Sequence, residues 1–326
     1  MTGTVVRTDT LDRSGWLQAR RQGIGGSDAA AILGLDPFKT PYAVYLDKRG
    51  ELPDDDAGEA AYWGNLLEQP VADATRDRLN EQREQEGLPP LTVKRRHAIL
   101  HHPDRPWQLA NIDRDVYGHE DGPAILEIKT TGHWAAQTWD TDDDLPERYH
   151  VQLQHYLSVT GRQHGWIAVL IAGQKLHIEH VQRDDELVDA LVQVEQTFWQ
   201  RVLDGNPPAA GARDDDLTKT RFATATPGKT VTLPAEARDL IAERAAAKAA
   251  EDAAADRRKT CEARLRQLIG DAEEAWLPGD DRPIVTWREV ASSRFDAKTF
   301  AADHPDLADR YRTTSTHRRF NFRKGA

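Results

Sequence analysis

Three charged residues in the middle of the chain, Asp113, Glu127 and Lys129, have the types and spacing of a metal site that faces a phosphate. They belong to the segments LANIDRDVYG (109–118) and AILEIKTTG (124–132), in which alternating apolar and polar residues predict two β-strands. Side chains two apart on a strand share a face, so Glu127 and Lys129 should lie together beside Asp113 on the neighbouring strand. Carboxylates, water and phosphate oxygens are the usual ligands of Mg²⁺. Alone, the triplet also fits a surface ladder of salt bridges.

Composition limits the classes of protein to consider. The chain has 326 residues, 30% of them charged, and a formal net charge of −11. This charge argues against a non-specific DNA coat, but an enzyme can carry positive charge only along its substrate path. Cys261 is the only cysteine, which excludes a disulfide framework and an iron–sulfur cluster. No secretory signal or membrane-length apolar run is present, so we expect a cytoplasmic protein.

The order of predicted elements indicates a mixed α/β fold. Helical patterns come first, then the strands around the triplet, and then an amphipathic helix at 147–161 that Gly161 ends. A hairpin at 165–182 and a capped helix at 184–205 follow. A central mixed β-sheet flanked by helices accommodates this order.

The final third of the chain has a different composition. A Pro-, Gly- and Asp-rich stretch predicts a linker at 206–228, which separates a domain at 1–205 from an accessory region at 229–326. In that region an Ala-, Glu- and Arg-rich segment predicts one long helix over 233–270, and the sequence PGDD predicts a short hairpin after it. No residue pattern there indicates chemistry.

Several other residues are candidates whose functional and structural interpretations both stay open. Glu68 lies among apolar neighbours on a predicted helix, where a buried carboxylate needs a partner or a metal. Gln152 and Gln154 cannot both face the core of one helix, so we expect one of them to be solvated. His150 and His155 share a helix face poorly, which argues against zinc.

The segment GIGGSDAAAILG (23–34) is glycine-rich and begins a predicted helix. It lacks the glycine spacing and the preceding strand of a dinucleotide-binding fingerprint. A helix N-terminus with free backbone N–H groups favours an anion, and Arg21 could add a two-pronged contact to a phosphate. An ordinary helix cap with a solvated arginine explains the same residues.

Taken in order, these segments resemble the YqaJ-type viral recombinases, which are similar to phage lambda exonuclease within the PD-(D/E)XK superfamily. The resemblance covers about residues 15–205 and rests on five pieces in register. They are R-x-G-I-G-G-S-D-A-A-A-I-L-G (21–34), W-G-x-x-x-E (63–68), the Asp113 strand, E-I-K (127–129) and Q-x-Q-x-Y (152–156).

The resemblance implies a PD-(D/E)XK restriction-endonuclease-like fold and a metal-dependent nuclease. Asp113, Glu127 and the backbone carbonyl of Ile128 would bind Mg²⁺, for which Mn²⁺ could substitute, and Glu68 would hold a water or a second ion. Two such ions can stabilise both the attacking and the leaving oxygen. Lys129 would orient or deprotonate the water, and Gln152 would position Lys129 or a water.

Further implications of the resemblance concern DNA and protein partners. Arg21 and Ser27 would hold the 5′-phosphate of double-stranded DNA, which the enzyme would digest from 5′ ends to leave 3′ single-stranded tails for recombination or repair. A single-strand annealing protein and a homo-oligomeric ring are the implied partners. An endonuclease of resolvase or restriction type, and a non-catalytic partner-binding protein on the same fold, are the alternatives.

The sequence departs from the family pattern at one point. The family often has Pro or Ser-Pro before its first metal aspartate, whereas this chain has Asn111-Ile112-Asp113. Asp115 is therefore a competitor for the same role, one step further along the same predicted face.

Overall fold

The computed structural model describes residues 3–52, 58–132 and 146–322. They form two units that divide between Arg221 and Phe222. The elements of the first half of unit one are β1 (Val5–Arg7), α1 (Arg13–Arg21), α2 (Gly26–Ile32), α3 (Pro41–Lys48), α4 (Glu59–Gln85), β2 (Thr92–Arg95), β3 (Ala98–His101) and β4 (Leu109–Ala110). Those of its second half are β5 (Arg114–Tyr117), β6 (Ala124–Thr131), α5 (Glu147–Thr160), β7 (His164–Ile171), β8 (Lys175–Gln182), α6 (Asp185–Asp204), a short 3₁₀ helix (Ala212–Asp214) and α7 (Asp215–Arg221).

A five-stranded mixed sheet forms the centre of unit one, in the spatial order β2-β5-β6-β7-β8. Within this sheet only β6 and β7 run parallel, and α5 lies between them in the chain. The other neighbours are antiparallel. Ala172 and Gly173 both have positive φ and make the tight turn between β7 and β8, which matches the primed turns that suit strand twist.

The two faces of this sheet bury different helices because side chains alternate along β6. Ile125 packs with Leu153 and Leu157 of α5, whereas its neighbour Leu126 packs with Val71 of α4. Glu127 and Lys129 share the parity of Ile125 and therefore point to the α5 side. The charged side chains thus lie where the sheet meets α5, the helix on which α2 packs.

A second, three-stranded antiparallel sheet in the order β1-β3-β4 holds the glycine-rich segment in place. The backbone N–H of Ile24 donates to Trp107, and the N–H of Leu109 in β4 donates back to Ile24. A Cβ at Gly23 would lie 2.2 Å from the carbonyl oxygen of Trp107, so this close approach requires glycine.

The boundary between the units, at residues 221 and 222, lies inside the stretch 206–228 that composition predicts as a linker. The 3₁₀ helix and α7 belong to unit one, where Asp214 is buried and accepts a hydrogen bond from Thr40, the N-cap residue of α3. Arg221 donates to Tyr42 at 2.8 Å. The composition of this stretch predicts turns, but specific partners on α3 order it.

Unit two contains α8 (Ala237–Ile269), β9 (Glu274–Ala275), β10 (Val285–Thr286), α9 (Ala297–Asp303) and α10 (Pro305–Arg310). The antiparallel pair β9–β10 is the hairpin predicted across PGDD, and α8 is the long helix predicted over 233–270. No residue of α8 is buried within the described structure. Together with the mixed sheet of unit one, these elements confirm the predicted fold class. None of the described helices is both long enough and apolar enough to span a membrane.

Candidate active site

Asp113 lies immediately before β5 and faces the next strand. In the register of β5 and β6, Arg114 is opposite Leu126, so Asp113 comes beside Glu127. The Asp113 carboxylate accepts a hydrogen bond from the backbone N–H of Ile128 at 2.8 Å. This contact fixes one carboxylate oxygen against the strand that carries the second carboxylate.

Glu127 is the buried centre of the site, with 2% of its surface exposed. Its Oε1 accepts a hydrogen bond from Lys129 Nζ at 2.8 Å and another from Gln152 Nε2 at 2.6 Å. Gln152 also donates to the hydroxyl of Tyr156 at 3.2 Å. The strand period therefore places Glu127 and Lys129 side by side, and α5 contributes the amide that orients the carboxylate.

The electrostatics of the site favour a bound cation. Burial raises the pKa of Asp113 to about 8, with the nearby Glu127 as the next cause, and burial also raises the pKa of Glu127. Desolvation opposes the charge on Lys129, but Glu127 and Asp113 outweigh it and raise the pKa of the ammonium. Glu127 Oε2 is buried and has no hydrogen-bond partner among the described residues.

This donor set fits a hard divalent cation. The raised pKa values of Asp113 and Glu127 show that two ionised carboxylates are costly in this buried site; a cation would offset that cost, and oxygen is the ligand that Mg²⁺ prefers. The unpaired Oε2 of Glu127 and the carboxylate of Asp113 offer oxygen ligands there. A lysine ammonium within the same group can face a phosphate without competing for the metal.

Glu68 reaches this region from α4 through a buried arginine. Its Oε1 accepts a hydrogen bond from Arg114, whose side chain is 2% exposed, and lies 3.5 Å from Arg95. The Arg114 guanidinium also donates to the backbone carbonyl of Asp113 at 2.8 Å and to Gln69 at 3.0 Å. One arginine therefore links Glu68 to the backbone of the aspartate.

Arg114 was not predicted as a site residue, although the sequence contains a signal for it. Strand alternation puts residue 114 on the face opposite Asp113, which is the face that α4 covers. A buried guanidinium needs carboxylate or carbonyl partners. Glu68, already a candidate on a predicted helix, could supply the carboxylate.

A cleft of 220 Å³ opens over the triplet. Asp113, Glu127, Lys129 and Gln152 line it on the sheet and α5 side. The remaining lining residues are Arg20, Gly25, Gly26, Ser27, Ile99, Leu109, Asn111 and Tyr156. The structure therefore brings four of the predicted catalytic residues and the glycine-rich segment to one cleft, whereas the fifth, Glu68, is not among the lining residues.

Of the two adjacent arginines, Arg20 lines the cleft and Arg21 does not. Arg20 donates to Ser27 Oγ at 3.3 Å, and its guanidinium lies 4.7 Å from the ring centroid of Trp16. Arg21 instead lies 3.3 Å from Asp47 in an ion pair with α3. The rotation of α1 about its own axis decides which of the two arginines faces the cleft, and the sequence motif alone does not determine this rotation.

Asp28 anchors the glycine-rich segment below the cleft. Its side chain is fully buried, accepts from the backbone N–H of Gly25 at 3.1 Å, and pairs with Lys48 at 2.6 Å and Lys39 at 3.1 Å. Burial opposes its charge, but the two lysines hold the pKa of this carboxyl well below its usual range. The aspartate of the G-G-S-D sequence thus fixes the loop rather than facing the cleft.

The structure resolves the alternative of Asp115. Asp115 does not line the cleft, because Arg96 at 3.1 Å and Arg162 bind its carboxylate.

The expectation that Gln152 or Gln154 would be solvated was wrong, since both are buried. Gln154 donates to the Gln182 carbonyl at 2.7 Å and accepts from the Asp184 N–H at 3.0 Å, so backbone partners take the place of water.

His155 has a structural environment. Its Nδ1 lies 2.7 Å from Glu195 and its Nε2 lies 2.9 Å from the carbonyl of Leu109, with all three groups buried. Burial lowers the pKa of this imidazole, but Glu195 outweighs that effect and raises it. The charged pair ties α5 to α6 and β4.

Comparison with known proteins agrees with the resemblance seen in the sequence. A family model described as the YqaJ-like viral recombinase domain matches residues 15–163. The protein YqaJ of Bacillus subtilis (strain 168) is 35% identical over 326 residues, which cover 98% of this chain and 97% of that protein.

Two solved structures were also similar. An alkaline exonuclease from Laribacter hongkongensis aligns with a TM-score of 0.46 and 18% identity, over 59% of this chain and 94% of that chain. A phage-related exonuclease from Haemophilus somnus 129PT aligns with a TM-score of 0.39 and 14% identity, over 56% and 96%. On the strength of the family match and the full-length relative, this chain belongs to the YqaJ-like viral recombinase family.

Proposed function

We propose that this protein is a Mg²⁺-dependent deoxyribonuclease that digests linear double-stranded DNA from its 5′ ends and leaves 3′ single-stranded tails for recombination or repair. The observation that carries the proposal is the buried, unpaired Oε2 of Glu127 next to Asp113 and Lys129. Family membership supports an action on DNA, and the cleft supplies the oxygen ligands and the ammonium for phosphodiester hydrolysis.

The metal would be held by Asp113, Glu127 and the backbone carbonyl of Ile128, with Glu68 as the ligand of a water or a second ion. When bound, Mg²⁺ supplies Lewis-acid stabilisation of the charge on the phosphate oxygens; Mn²⁺ could substitute. The residues of the chain then have separate tasks. Gln152 holds the carboxylate of Glu127 in one orientation, and Arg114 holds Glu68 against the backbone of Asp113.

Lys129 acts on the attacking water and on the phosphate. Its raised pKa keeps it protonated at neutral pH, so it orients the water by hydrogen bonding and offsets the negative charge of the transition state. The water oxygen forms a bond to phosphorus while one phosphorus–oxygen ester bond breaks, and the water's protons pass to solvent and to the departing alkoxide.

The glycine-rich side of the cleft is proposed to bind the DNA 5′-phosphate through Ser27 and an arginine. The sequence motif favours Arg21 in this role, whereas the position of Arg20 in the cleft favours Arg20. The comparison of Arg20→Gln with Arg21→Gln decides between them. The variant that lacks the phosphate ligand should lose the preference for 5′-phosphorylated over dephosphorylated ends, and the other should keep it.

Exonuclease and endonuclease activity are separated by the shape of the substrate. Linear duplex and covalently closed circular duplex of the same sequence are incubated with Mg²⁺ and full-length protein. We expect degradation of the linear form alone, and no degradation by Glu127→Gln. Equal cleavage of the circle would support the endonuclease, and equal digestion by wild type and Glu127→Gln would refute a nuclease site at Glu127.

A further inference from the structure

A cluster of three histidines lies on the face of the central sheet opposite the catalytic cleft. His119 is in the turn between β5 and β6, His164 begins β7, and His180 is near the end of β8. One ring nitrogen from each of the three lies within 4.8 Å of the other two. His164 and His180 share the parity of Trp166, which packs on the α4 side, whereas Glu127 points to the α5 side.

We propose that His119, His164 and His180 form a binding site for a transition-metal ion of the zinc class, separate from the Mg²⁺ site. Imidazole nitrogen is a preferred ligand of Zn²⁺ and its neighbours in the transition series, and a poor ligand for Mg²⁺. Within the described residues, this is the one group of three or more His, Cys, Asp or Glu side chains whose ligand atoms converge in this way.

The tautomer of His164 suits metal binding. Its Nε2 lies 3.3 Å from the carbonyl oxygen of Gly122, which can only accept, so Nε2 carries the proton and Nδ1 presents its lone pair. Metal-binding histidines commonly donate their second N–H to a backbone carbonyl in this manner. His164 is fully buried, so its ring orientation is held by packing as well as by this hydrogen bond.

The spacing of one pair of nitrogens is close to that in a tetrahedral site. His164 Nδ1 and His180 Nε2 are 2.9 Å apart and share one proton when no ion lies between them. Nitrogens around a tetrahedral zinc ion are roughly 3.3 Å apart, because each Zn–N bond is about 2.0–2.1 Å long. A shift of a few tenths of an ångström, with the proton of His180 moved to its other nitrogen, therefore suffices for this pair, and His119, whose nitrogen lies within 4.8 Å of both, moves closer to complete the site.

The surroundings favour neutral imidazoles and a positive ion. Burial lowers the pKa of His164 and of His180, so both rings are neutral at neutral pH, as a ligand must be. Trp166 stacks on His180 with ring centroids 4.7 Å apart and limits its movement. The carboxylates of Glu120 and Asp121 each lie 3.7 Å from a ring nitrogen of His119 and add negative charge at the open side.

A bound ion would connect three segments of the sheet. It would tie the turn that leads into β6 to the beginning of β7 and the end of β8. Strand β6 carries Glu127 and Lys129. Its predicted role is to stabilise the central sheet, since an ion that binds only the folded chain shifts the folding equilibrium toward it.

Zinc binding by full-length protein without a histidine tag tests the site directly. The protein carries Glu127→Gln to weaken metal binding at the catalytic carboxylates, is stripped with a chelator, and is titrated with Zn²⁺ against a chromophoric zinc indicator. We expect one tightly bound equivalent and, with Co²⁺ in place of Zn²⁺, the intense visible absorption of a tetrahedral site. Thermal unfolding should shift to higher temperature with Zn²⁺.

The cluster variants are His180→Asn and His119→Asn, because neither position is fully buried and both should fold. Each should weaken zinc binding at least about tenfold, the loss that even removal of an outer partner causes. His97→Asn, at an exposed histidine outside the cluster, is the matched control and should bind like its parent. Unchanged zinc affinity in both cluster variants, or no bound equivalent in the parent, would overturn the proposal.

Discussion

At the scale of single residues, the ionised form of each charged group in the site depends on the groups around it. Glu127 is buried, and its one satisfied oxygen depends on Lys129 and Gln152. Asp113 has a pKa raised to about 8 by burial and by Glu127. A cation at the unpaired oxygen would stabilise the ionised forms of both carboxylates. This need for positive charge is the physical basis of the proposed metal dependence.

Lys129 gives the first prediction. Lys129→Met should lower the rate of DNA hydrolysis about 10²–10⁴-fold, because the water loses its orienting donor and the transition state loses a positive charge. Lys94→Met, at an exposed lysine on β2, is the control and should retain the parental rate. Single-turnover hydrolysis of linear duplex measures both; similar rates in the two variants would remove Lys129 from the mechanism.

Arg114 gives a second prediction, on stability. Arg114→Met leaves Glu68 without its buried partner, and it should lower the free energy of unfolding by about 3–5 kcal/mol. Glu68→Gln combined with Arg114→Met should recover part of that loss, since the amide leaves no unpaired charge. Urea unfolding of both variants measures the difference. A single variant as stable as wild type would show that Arg114 does not hold Glu68.

Single residues also show what the sequence can and cannot predict. Strand alternation was enough to place Glu127 and Lys129 together, because the period of a strand is independent of its partners. The choice between Arg20 and Arg21 depended on the phase of α1 against α3, which is a tertiary property. The burial of Gln154 was missed because its partners are backbone groups at residues 182 and 184, remote in sequence.

At the scale of elements, the contact of α2 with α5 sets the shape of the cleft. Gly26, the first residue of α2, packs directly on α5: a Cβ there would lie 2.5 Å from Tyr156 Cε1 and 2.9 Å from Gln152 Cγ. The glycine pattern predicted a helix start but not this contact, because the position of α5 is decided by the central sheet.

The substitution Gly26→Ala tests this contact between α2 and α5. The methyl group should displace α2 or Gln152, lower the free energy of unfolding by about 1–3 kcal/mol, and reduce hydrolysis of DNA. Gly64→Ala, inside α4, meets only Thr130 Oγ1 at 3.6 Å and should instead be neutral or stabilise by up to about 1 kcal/mol. Equal effects of the two substitutions on unfolding would contradict the packing argument.

The His155–Glu195 pair predicts a pH dependence for the packing of α5 on α6. Since the folded pKa of His155 is raised above its unfolded value of 6.5, its contribution to stability is complete below pH 6.5 and is lost as pH rises through the folded pKa. His155→Gln should flatten this part of the profile. Urea unfolding from about pH 6 to about pH 9 measures it, with exposed His97→Gln as control. Parallel profiles for wild type and His155→Gln would refute the charged pair.

At the scale of the whole molecule, all the proposed catalytic residues lie in the unit that ends at Arg221. The predicted fold class was confirmed, because strand alternation, turn residues and helix caps all indicate the same elements. The unit boundary falls within the predicted linker at 206–228, but composition did not predict the contacts of Asp214 and Arg221 with Thr40 and Tyr42, because these partners are remote in sequence. Although the net charge of the chain is −11, Arg20 and Lys129 place positive charge in the cleft. The proposed function requires such local positive charge to bind the DNA backbone.

The cleft around Asp113, Glu127 and Lys129 is the proposed metal-dependent site for digestion of DNA ends. The most direct measurement is a time course on linear duplex labelled at either the 5′ or the 3′ end, with Mg²⁺ or with a chelator. We predict early release of the 5′ label as a small product, late release of the 3′ label, and no release with the chelator or with Glu127→Gln. Release of either label by Glu127→Gln at the wild-type rate, or in the presence of the chelator, would contradict the account.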